Sequence, residues 1–579
     1  MRGAIDSFVL PTPSTFLARF AVAMSRNRIP SNRRFGTGLA IVAASLMAGC
    51  ATVGPDYVAP EAAPSEAPLL DPLPAPAFDG VSTVMSDGAV IDWWRWFGSP
   101  ELDRLVQAGF ANSPTLDAAQ ARLTQAAYLL RAERGLLLPE ISANGTIIRQ
   151  RSGSRGSGGF GAGSGQEQGS GQGSSQTPDG GTDGGLSGAT GGSGGEFTIY
   201  TAQIAVDYNL DPFGREIRLI QSAQARLAAA RAEVQAAYLA LAGNIVSSAL
   251  EAAAIRQRQI VTRELIEGQR NRLELTRIRV EEGYSARADL VAAEAEIRAL
   301  EAQLPGLRRD LTLAEARLAT LTGRVPAQAD LPELTLASLT MPRTVPITIP
   351  STLVRERPDI RAAEARLAAA SAEIGVATAS LYPDLTLSGS AGLNGIDGPG
   401  FGPTLDFVYS AGIGLLAPLF QGGRLRAQRD VQIAAYQEAL ALFQETVLSA
   451  FEDVAGGISA LDADGEALMR RIQALEAAQE SLDLTVFRYR EGAASLFDVL
   501  QAERTYQEAR LSVVEASALR FQDTAALLAA VAGGPLDDAF LAAQTGSEAI
   551  AATRAALDSG RPPALLPARE IERTIHGRN

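Results

Sequence analysis

Two proline-free stretches of equal length constrain this chain more than any other feature. Residues 215–282 and 424–491 each span 68 residues without a proline, although the chain contains 30 prolines. As a helix, each stretch would form a rod about 100 Å long, because an α-helix rises about 1.5 Å per residue. One layer of ordinary helices cannot cover such a rod, so we expect the rods to pack on one another.

Apolar side chains recur along the second stretch at alternating steps of mostly three and four residues, which is coiled-coil spacing. The first stretch has a similar stripe that is richer in alanine, the residue that most favours helix. A solvated helical hairpin is the plain alternative for one stripe, but two stripes of matched length favour long rods. The second stripe consists of Ile433, Tyr436, Leu440, Phe443, Val447, Phe451, Val454, Ile458 and Leu461.

The chain repeats itself along its length. One set of matching residues is separated by 244 positions and a second set by 209 positions. A Gly/Ser-rich insertion at 152–195, present only in the first half, roughly accounts for the difference. We therefore expect an internal two-fold repeat, with halves at 91–340 and 341–535 and a C-terminal tail at 536–579. The matching pairs are Pro114 and Pro358, Pro139 and Pro383, Arg215 and Arg424, Gly283 and Gly492, and Asp289 and Asp498.

Each half carries two segments in which apolar and polar residues alternate, which is the period of a β-strand. Strands of a membrane barrel turn their apolar side to lipid and their polar side to water. Four strands cannot close a barrel, and unpaired edges are costly in lipid, so chains must associate unless the strands form a soluble sandwich. The predicted strands lie at about 140–150, 197–210, 383–395 and 405–420, and the predicted helices at 215–282, 284–322, 424–491 and 493–533.

The N-terminus has the features of a secreted lipoprotein. Residues 1–49 contain arginines, a short apolar run and then small residues, as a signal peptide does, and Met24 is an alternative start. The sequence LMAGC resembles a lipoprotein box, so Cys50 is predicted to carry a covalent lipid; an ordinary signal peptide that contains a cysteine is the alternative. Ala51 follows, which implies the outer membrane by the sorting rule of bacterial lipoproteins. The proline-rich residues 50–90 predict an extended tether.

Composition excludes several functional classes. The chain has one histidine, His576, one cysteine and no lysine, which excludes histidine-based triads and His-rich zinc sites. A net charge of −14 argues against nucleic acid as a partner. An enzyme that cleaves glycans with carboxylates is an alternative, but rods offer no preformed pocket for it. We expect no enzyme activity, no metal and no cofactor besides the lipid on Cys50.

Several longer motifs resemble a known family. They are CATVGPDY, WWRWFGSPELDRLV, LDPFGREIR, ERPDIRAAEARL, LYPDLTLSGSAG and YREGAASLFDVLQAE. With the order of elements, they make residues 50–535 similar to the TolC-type outer-membrane efflux factors, in the OprM/NodT-like lipoprotein branch. The resemblance implies a mixed α/β membrane protein: a homotrimer with a twelve-stranded outer-membrane β-barrel, four strands per chain, continued by a long α-helical periplasmic barrel. It also implies a periplasmic membrane-fusion adaptor and an inner-membrane RND-type pump as partners.

The same resemblance suggests where such a channel is gated. Gly283 and Gly492 match the turn glycines at the periplasmic tip, and Tyr489 and Asp498 match gate residues, with Asp289 as the equivalent in the first half. A threefold ring of aspartates would place like charges close together and attract cations. The alternative, which is compatible with the first, is that both aspartates cap the helices that follow the turns.

This chain departs from the family at two gate positions. Ala494 stands where an arginine is usual and Gln501 where a second acid is usual. The resemblance therefore leaves two alternatives: a weaker latch, or a latch built from Arg287, Arg488 or Arg490 instead.

Two functions from different classes compete. The first is a passive exit duct for small molecules in the outer membrane, lipid-anchored and with a periplasmic extension. The second is a structural lipoprotein that bridges the envelope with coiled-coil rods and has no pore. The four two-sided strands favour the duct, because a tether needs none.

Overall fold

The structure is a computed structural model that describes residues 52–60, 82–86, 92–151, 196–342, 344–348, 356–398 and 401–533. The predictions made for the signal peptide, for Cys50, for the insertion 152–195 and for the tail 536–579 lie outside these residues.

Helices and strands follow one another in a pattern that occurs twice along the described chain. Each half has a short helix, two antiparallel strands, a rod-like helix and a returning helical segment. The elements are β1 (Ser82–Ser86), α1 (Pro100–Asn112), α2 (Pro114–Gly135), β2 (Glu140–Arg151), β3 (Glu196–Leu210), α3 (Arg215–Glu281), α4 (Arg287–Glu301), α5 (Gln303–Leu321), β4 (Thr344–Thr348), α6 (Pro358–Ala379), β5 (Asp384–Gly398), β6 (Phe401–Leu416), α7 (Arg424–Arg490) and α8 (Leu496–Val531).

The rods are α3 and α7, each 67 residues long and thus about 100 Å in length. Each begins directly after a glycine in the left-handed conformation, Gly214 with φ 77° and Gly423 with φ 85°. At the start of α3 the carboxylate of Asp211 accepts hydrogen bonds from three successive backbone N–H groups, at 2.6, 2.9 and 3.2 Å. Asp211 thereby satisfies backbone N–H groups that have no hydrogen-bond partner within the first turn of the helix.

The internal repeat is visible in the bounds of the helices. The 22 residues of α6 match those of α2 after a shift of 244 positions. The 67 residues of α7 match those of α3 after a shift of 209 positions. These two shifts define which residues of the two halves are equivalent.

Four strands form one antiparallel sheet in the order β2-β3-β5-β6. The strands β2 and β6 are its edges, and no other strand in the described part of the chain pairs with either. The rods leave the sheet from the ends of β3 and β6, so the sheet sits at one end of a long helical body.

The largest apolar core lies on α3 where α1, α2, α5 and α8 meet it, beside a 3₁₀ turn at Trp93–Phe97. Trp93, Trp94 and Phe97 are at most 2% exposed. The ring of Phe97 lies 6.1 Å from that of Phe521 on α8, measured between ring centroids. This core joins the two halves far from both the sheet and the rod ends.

The prediction of one helix over 284–322 is wrong. The segment forms two helices, α4 and α5, which meet at Ala302. Pro305 lies three residues later, has no N–H to donate to the carbonyl of Glu301, and crowds that carbonyl with its ring. The helix therefore breaks where the proline removes a hydrogen bond.

Two other predicted boundaries move. The strand predicted at 405–420 begins and ends earlier, because Pro418 lies just beyond its end and cannot donate to a sheet. The helix predicted at 493–533 begins later, because Ser495 is its N-cap and accepts the N–H of Asp498 at 3.2 Å.

The predicted tether 50–90 is more structured than expected in two places. Ser82–Ser86 form β1, which pairs in parallel with β4, and this stretch is free of proline. Residues 52–60 lie against the helical body and are described below as the N-terminal strap. Strand pairing at 82–86 and hydrogen bonds to Arg218 at 52–60 thus replace a free linker in these two places.

Candidate channel wall and gate

One side of the four-stranded sheet carries large apolar side chains that the described chain leaves exposed. On the edge strand β2, Ile141 and Ile147 are 69% and 73% exposed. Such a dense apolar surface is unfavourable in water and is what the lipid-facing side of a barrel strand requires. On β6 the same side carries Leu405, Phe407, Tyr409, Ile413 and Leu415, all between 67% and 80% exposed.

The opposite side of the sheet is polar. The hydroxyl of Thr201 on β3 donates to the side-chain carbonyl of Asn394 on β5 at 2.8 Å. The hydroxyls of Ser390 and Ser410 are hydrogen-bonded at 2.9 Å between β5 and β6. One lipid-compatible and one water-compatible side are the two surfaces of a channel wall.

Both rods end in the same glycine turn. The N–H groups of the turn glycine and of the next residue donate to carbonyls three and five residues earlier, at 3.1 and 2.7 Å after α3 and at 3.1 and 2.8 Å after α7. This Schellman arrangement requires a left-handed residue, here Gly283 with φ 79° and Gly492 with φ 76°. Both predicted turn glycines therefore lie at the ends of the rods.

The predicted aspartates cap the helices after these turns. Asp498 accepts the N–H and the hydroxyl of Ser495 at 2.8 and 2.7 Å. These hydrogen bonds, with the charge of Arg488, lower the pKa of Asp498. Asp289 accepts only the N–H of Ala286, at 3.2 Å. Both carboxylates hold their turns and place negative charge at the ends of the rods.

Arg279, which sequence reasoning missed, links the two rod ends. Its guanidinium carbon lies 4.5 Å from the ring centroid of Tyr489, a cation–π contact between α3 and α7. The equivalent residue of the second half, Arg488, instead donates to the carbonyl of Ala493 in its own turn at 3.3 Å. The equivalence of Arg279 and Arg488 was the available signal, but only the fold shows which arginine reaches the tyrosine.

A polar cluster is buried between the two halves above the rod ends. Glu503 of α8, 2% exposed, accepts the side-chain N–H of Gln269 at 2.6 Å and pairs with Arg272 of α3. A second ion pair, between Arg504 and Glu296, crosses the same contact at 2.8 Å. Because a buried charge without its partner is costly, these contacts tie α3 and α4 to α8.

The N-terminal strap, residues 52–60, is fixed to the helical body just below the sheet. The buried guanidinium of Arg218 donates to two strap carbonyls at 3.2 and 3.1 Å and to the carboxylate of Asp56 at 2.9 Å. Gly54, with φ 94°, approaches α6 so closely that a Cβ there would lie 2.5 Å from the Cα of Gly375. The strap therefore has one defined place on α3 and α6.

Two further observations concern a metal site and a membrane-spanning helix. Among the described residues, no group of three or more His, Cys, Asp or Glu side chains is arranged to hold a metal ion. One described helix, α3, is long and apolar enough to cross a membrane, but 61% of its most apolar window is buried inside the protein. Packing against neighbouring helices accounts for that apolar content.

Known proteins share this arrangement. The family described as "Outer membrane efflux protein" matches residues 105–324 and 349–533. The chain is 31% identical over 494 residues to the pyoverdine export outer membrane protein OpmQ of Pseudomonas aeruginosa, covering 85% of this chain and 96% of the relative. It is 32% identical over 478 residues to nodulation protein T of Rhizobium leguminosarum bv. trifolii, covering 82% and 91%. The solved outer-membrane channel OprN superposes with a TM-score of 0.69 at 27% identity, covering 84% of this chain and 99% of that one.

The predicted fold class, a mixed α/β membrane protein whose strands continue into a long helical barrel, is confirmed by this structural similarity. The predicted kinship with the outer-membrane efflux factors is confirmed by the family match and the relatives. Members of this family are channel and transport proteins rather than enzymes. This chain belongs to the outer membrane efflux protein family and is the outer-membrane channel component of an efflux system.

Proposed function

We propose that three copies of this chain form a passive exit channel for small molecules. Each copy supplies four strands to a twelve-stranded barrel in the outer membrane, and its two repeats, 91–340 and 341–535, build a helical barrel in the periplasm. The channel itself neither catalyses a reaction nor supplies energy.

The observation that carries this proposal is a sheet with one apolar side, one polar side and two free edges. Four strands enclose no pore, and about eight are the practical minimum. Unpaired backbone groups at a strand edge are costly in lipid. Joining the edge β6 of each copy to the edge β2 of the next removes every edge at once.

The N-terminal strap supports the role of Cys50 as a lipid anchor. Thr52 packs on the junction of β3 and α3, where a Cβ on Gly214 would lie 2.6 Å from the Cγ2 of Thr52. Cys50 is two residues away, which limits its distance from Thr52 to about 7 Å. A lipid on Cys50 would then lie level with the lower rim of the barrel, at the periplasmic surface of the outer membrane.

The rod ends are the proposed gate. Tyr489, Asp498 and Asp289 lie there beside the turn glycines, at the end of the helical body far from the sheet. In a threefold assembly the aspartates would form acidic rings that repel one another and attract cations. Capping and gating then use the same carboxylates.

Cargo would arrive through a periplasmic membrane-fusion adaptor and an inner-membrane RND-type pump. The relative OpmQ is named for pyoverdine export, which supports a small organic molecule as cargo. Deleting the gene should raise sensitivity to, or accumulation of, the exported compound, and deleting the cognate adaptor should have the same effect.

A single-channel recording of the purified protein in a planar bilayer tests the channel itself. We expect discrete openings, and more frequent openings for Asp498→Ala, because the variant loses the cap that holds its turn. An absence of openings in both proteins would overturn the proposal and favour the envelope-bridging lipoprotein without a pore.

A further inference from the structure

We propose that Asp464 of α7 and Asp523 of α8 form a proton-operated clasp, which joins the two helices while the pair shares a proton and releases them when it does not. The clasp makes the opening of the channel depend on pH. The inference rests on the proposed function, because it takes the rod ends as the gate, and it adds a group that acts on this gate from a distance.

The two carboxyl groups face each other across the contact between α7 and α8. They are hydrogen-bonded to each other, and a carboxylate cannot donate a hydrogen bond, so one of the two carries a proton. The Oδ2 atom of Asp464 is buried and finds no donor group among the described residues. Without the shared proton, two negative charges meet at a place that is partly closed to water.

The other charged groups around the clasp do not replace this proton. Burial, followed by the hydrogen bond and the charge of Asp523, raises the pKa of Asp464 from 3.8 to about 6, although Arg520 of α8 and Arg471 of α7 oppose the shift. Arg471 also donates to the carbonyl of Ser512 on α8 at 2.9 Å. Since α8 is the helix that packs along this part of α7, these are the charged groups that face Asp464.

The first half has no such clasp. The residues equivalent to Asp464 and Asp523 are Ile255 of α3 and Ala314 of α5, which pack in the apolar core. An apolar pair holds its two helices together at every pH, whereas a carboxyl pair does so only while it is protonated. The response to pH therefore belongs to the hairpin of α7 and α8.

The clasp lies between the apolar core and the rod ends. Val454, Ile458 and Leu461 of α7 belong to the core that joins the two halves, and Asp464 follows them directly. Further down, the described residues of the apolar cluster between α3, α4 and α8 include none from α7. The lower part of α7, residues 465–490, therefore depends mainly on α8 for its position.

A pair of glycines gives α7 a place to bend two turns above the clasp. Gly456 and Gly457 lie inside the helix, where glycine weakens helical structure and where helices bend. A Cβ on Gly457 would lie 3.0 Å from the side chain of Leu527 on α8, whereas nothing lies within 4 Å of one on Gly456. The equivalent residues of α3 are Ser247 and Ser248. The glycines let α7 bend away from α8 when the clasp opens.

A bend at this place reaches the gate through a continuous helix. From Asp464, α7 runs to its end at Arg490, a distance of about 39 Å. Tyr489 lies at that end and contacts Arg279 of α3, while Glu503 fixes α8 to α3. A small change in the angle of α7 therefore moves Tyr489 while α8 stays in place. Openings are rare while the clasp holds its proton and frequent when both carboxylates are charged.

Single-channel recordings at about pH 5 and pH 7.5 test the clasp. The wild type should open several-fold more often at the higher pH. Asp464→Asn keeps the contact, because its amide donates to the carboxylate of Asp523 without a shared proton, so its openings should stay rare at both pH values. Asp464→Ile with Asp523→Ala introduces the apolar pair of the first half and should also remove the pH dependence.

The matched control is Asp462→Asn. Asp462 lies two residues before Asp464, about 200° around the helix and so on the other face of α7. This variant loses one charge as well, but it should keep the pH dependence of the wild type. An unchanged pH dependence in Asp464→Asn, or a flat response in the wild type, would overturn the proposal.

A structural measurement separates the clasp from the channel. Spin labels on Glu480→Cys and Thr505→Cys, at exposed positions of α7 and α8 below the clasp, report the distance between the two helices. The shortest measured distance should lengthen from pH 5 to pH 7.5 and should stay constant when Asp464→Asn is added; Cys50 is common to both proteins. Lengthening without openings at any pH would refute the channel and leave the clasp. Openings without lengthening would overturn the clasp and leave the channel.

Discussion

The rods α3 and α7 have the same length and end in the same glycine turn, but they differ in how much of their surface is buried. In the first, 27 of 67 residues are buried within its own chain, whereas in the second only 9 are, so one of its faces is bare. Where α3 meets α6, Ser222 and Arg226 bind the carboxylate of Glu373. The equivalent residues of α7 and α2 are apolar: Val431, Ala435 and Leu129. A duplicated helix has thus kept its geometry and changed its surface according to what covers it.

A second difference lies in the middle of the rods. Ile255 of α3 and Ala314 of α5 pack in the apolar core, and their equivalents in the second half are Asp464 of α7 and Asp523 of α8. An apolar pair in one half has become a pair of carboxyl groups in the other. The half whose rod has a bare face is also the half that carries this carboxyl pair.

The largest expected effect comes from the buried cluster above the rod ends. Glu503→Ala should lower the free energy of unfolding by about 3 kcal/mol, because it leaves Gln269 and Arg272 without their shared partner. The equivalent residue of the first half, Glu294, is exposed, so Glu294→Ala should change it by less than about 0.5 kcal/mol. Thermal denaturation in detergent measures the stability of both variants. Equal losses of stability would contradict the difference in burial between Glu503 and Glu294.

The turn glycines are a place where the halves should behave alike. Gly283→Ala and Gly492→Ala each force a left-handed alanine, at a cost of about 1 kcal/mol. No atom lies within 4 Å of an added Cβ at either position, so only the backbone conformation opposes the change. Thermal denaturation should show similar decreases in melting temperature for the two variants. No decrease for Gly492→Ala would mean that the second turn does not require a left-handed residue.

The carboxyl pair predicts a pH-dependent contribution to stability that its apolar equivalent in the first half lacks. Burial, with the nearby Asp523, raises the pKa of Asp464 from 3.8 to about 6. The folded protein therefore binds this proton more tightly than the unfolded chain, so the contribution of Asp464 to stability is largest below about pH 4 and falls as the pH rises to about 6. Asp464→Asn should have a higher melting temperature than wild type at neutral pH, and the difference should shrink towards pH 4.

The control for this prediction is Ile255, the residue of the first half that is equivalent to Asp464 and has no titratable group. A conservative change there, Ile255→Val, should lower the melting temperature by the same amount at every pH. If the advantage of Asp464→Asn is as large at pH 4 as at pH 7, the shared proton is not its cause.

The smallest effect is expected at the contact between the rod ends. Tyr489→Ala removes the ring under Arg279, a cation–π contact between two half-buried side chains of about 0.5–1 kcal/mol. Channel openings should become modestly more frequent, and Arg279→Ala should add nothing further in the double variant. Additive effects of the two changes would show that the residues act separately.

Much of the fold was predictable because it follows from local patterns. The absence of proline and the coiled-coil spacing indicated the rods, alternation indicated the strands, and constant offsets indicated the repeat. The single helix expected at 284–322 is broken by Pro305, a local signal of the same kind as the absence of proline that indicates the rods. The pattern of a strand shows which residues share a side, but not that Pro418 ends its pairing.

The site was less predictable because its contacts join residues that are far apart in the chain. The turn glycines and the capping aspartates carry local signatures and were found. Arg279, Arg218 and Glu503 were missed, since each is one charged residue among many on a long helix. Only the way in which the helices pack shows that Glu503 is buried while Glu294, at the same place in the other half, is exposed.

The central claim is that the open sheet and the bare rod are completed by further copies of the same chain. Native mass spectrometry of the detergent-extracted, lipidated protein tests this claim most directly. The account predicts a single dominant species of three chains. A folded species of one chain, stable at the concentrations used for extraction, would contradict it.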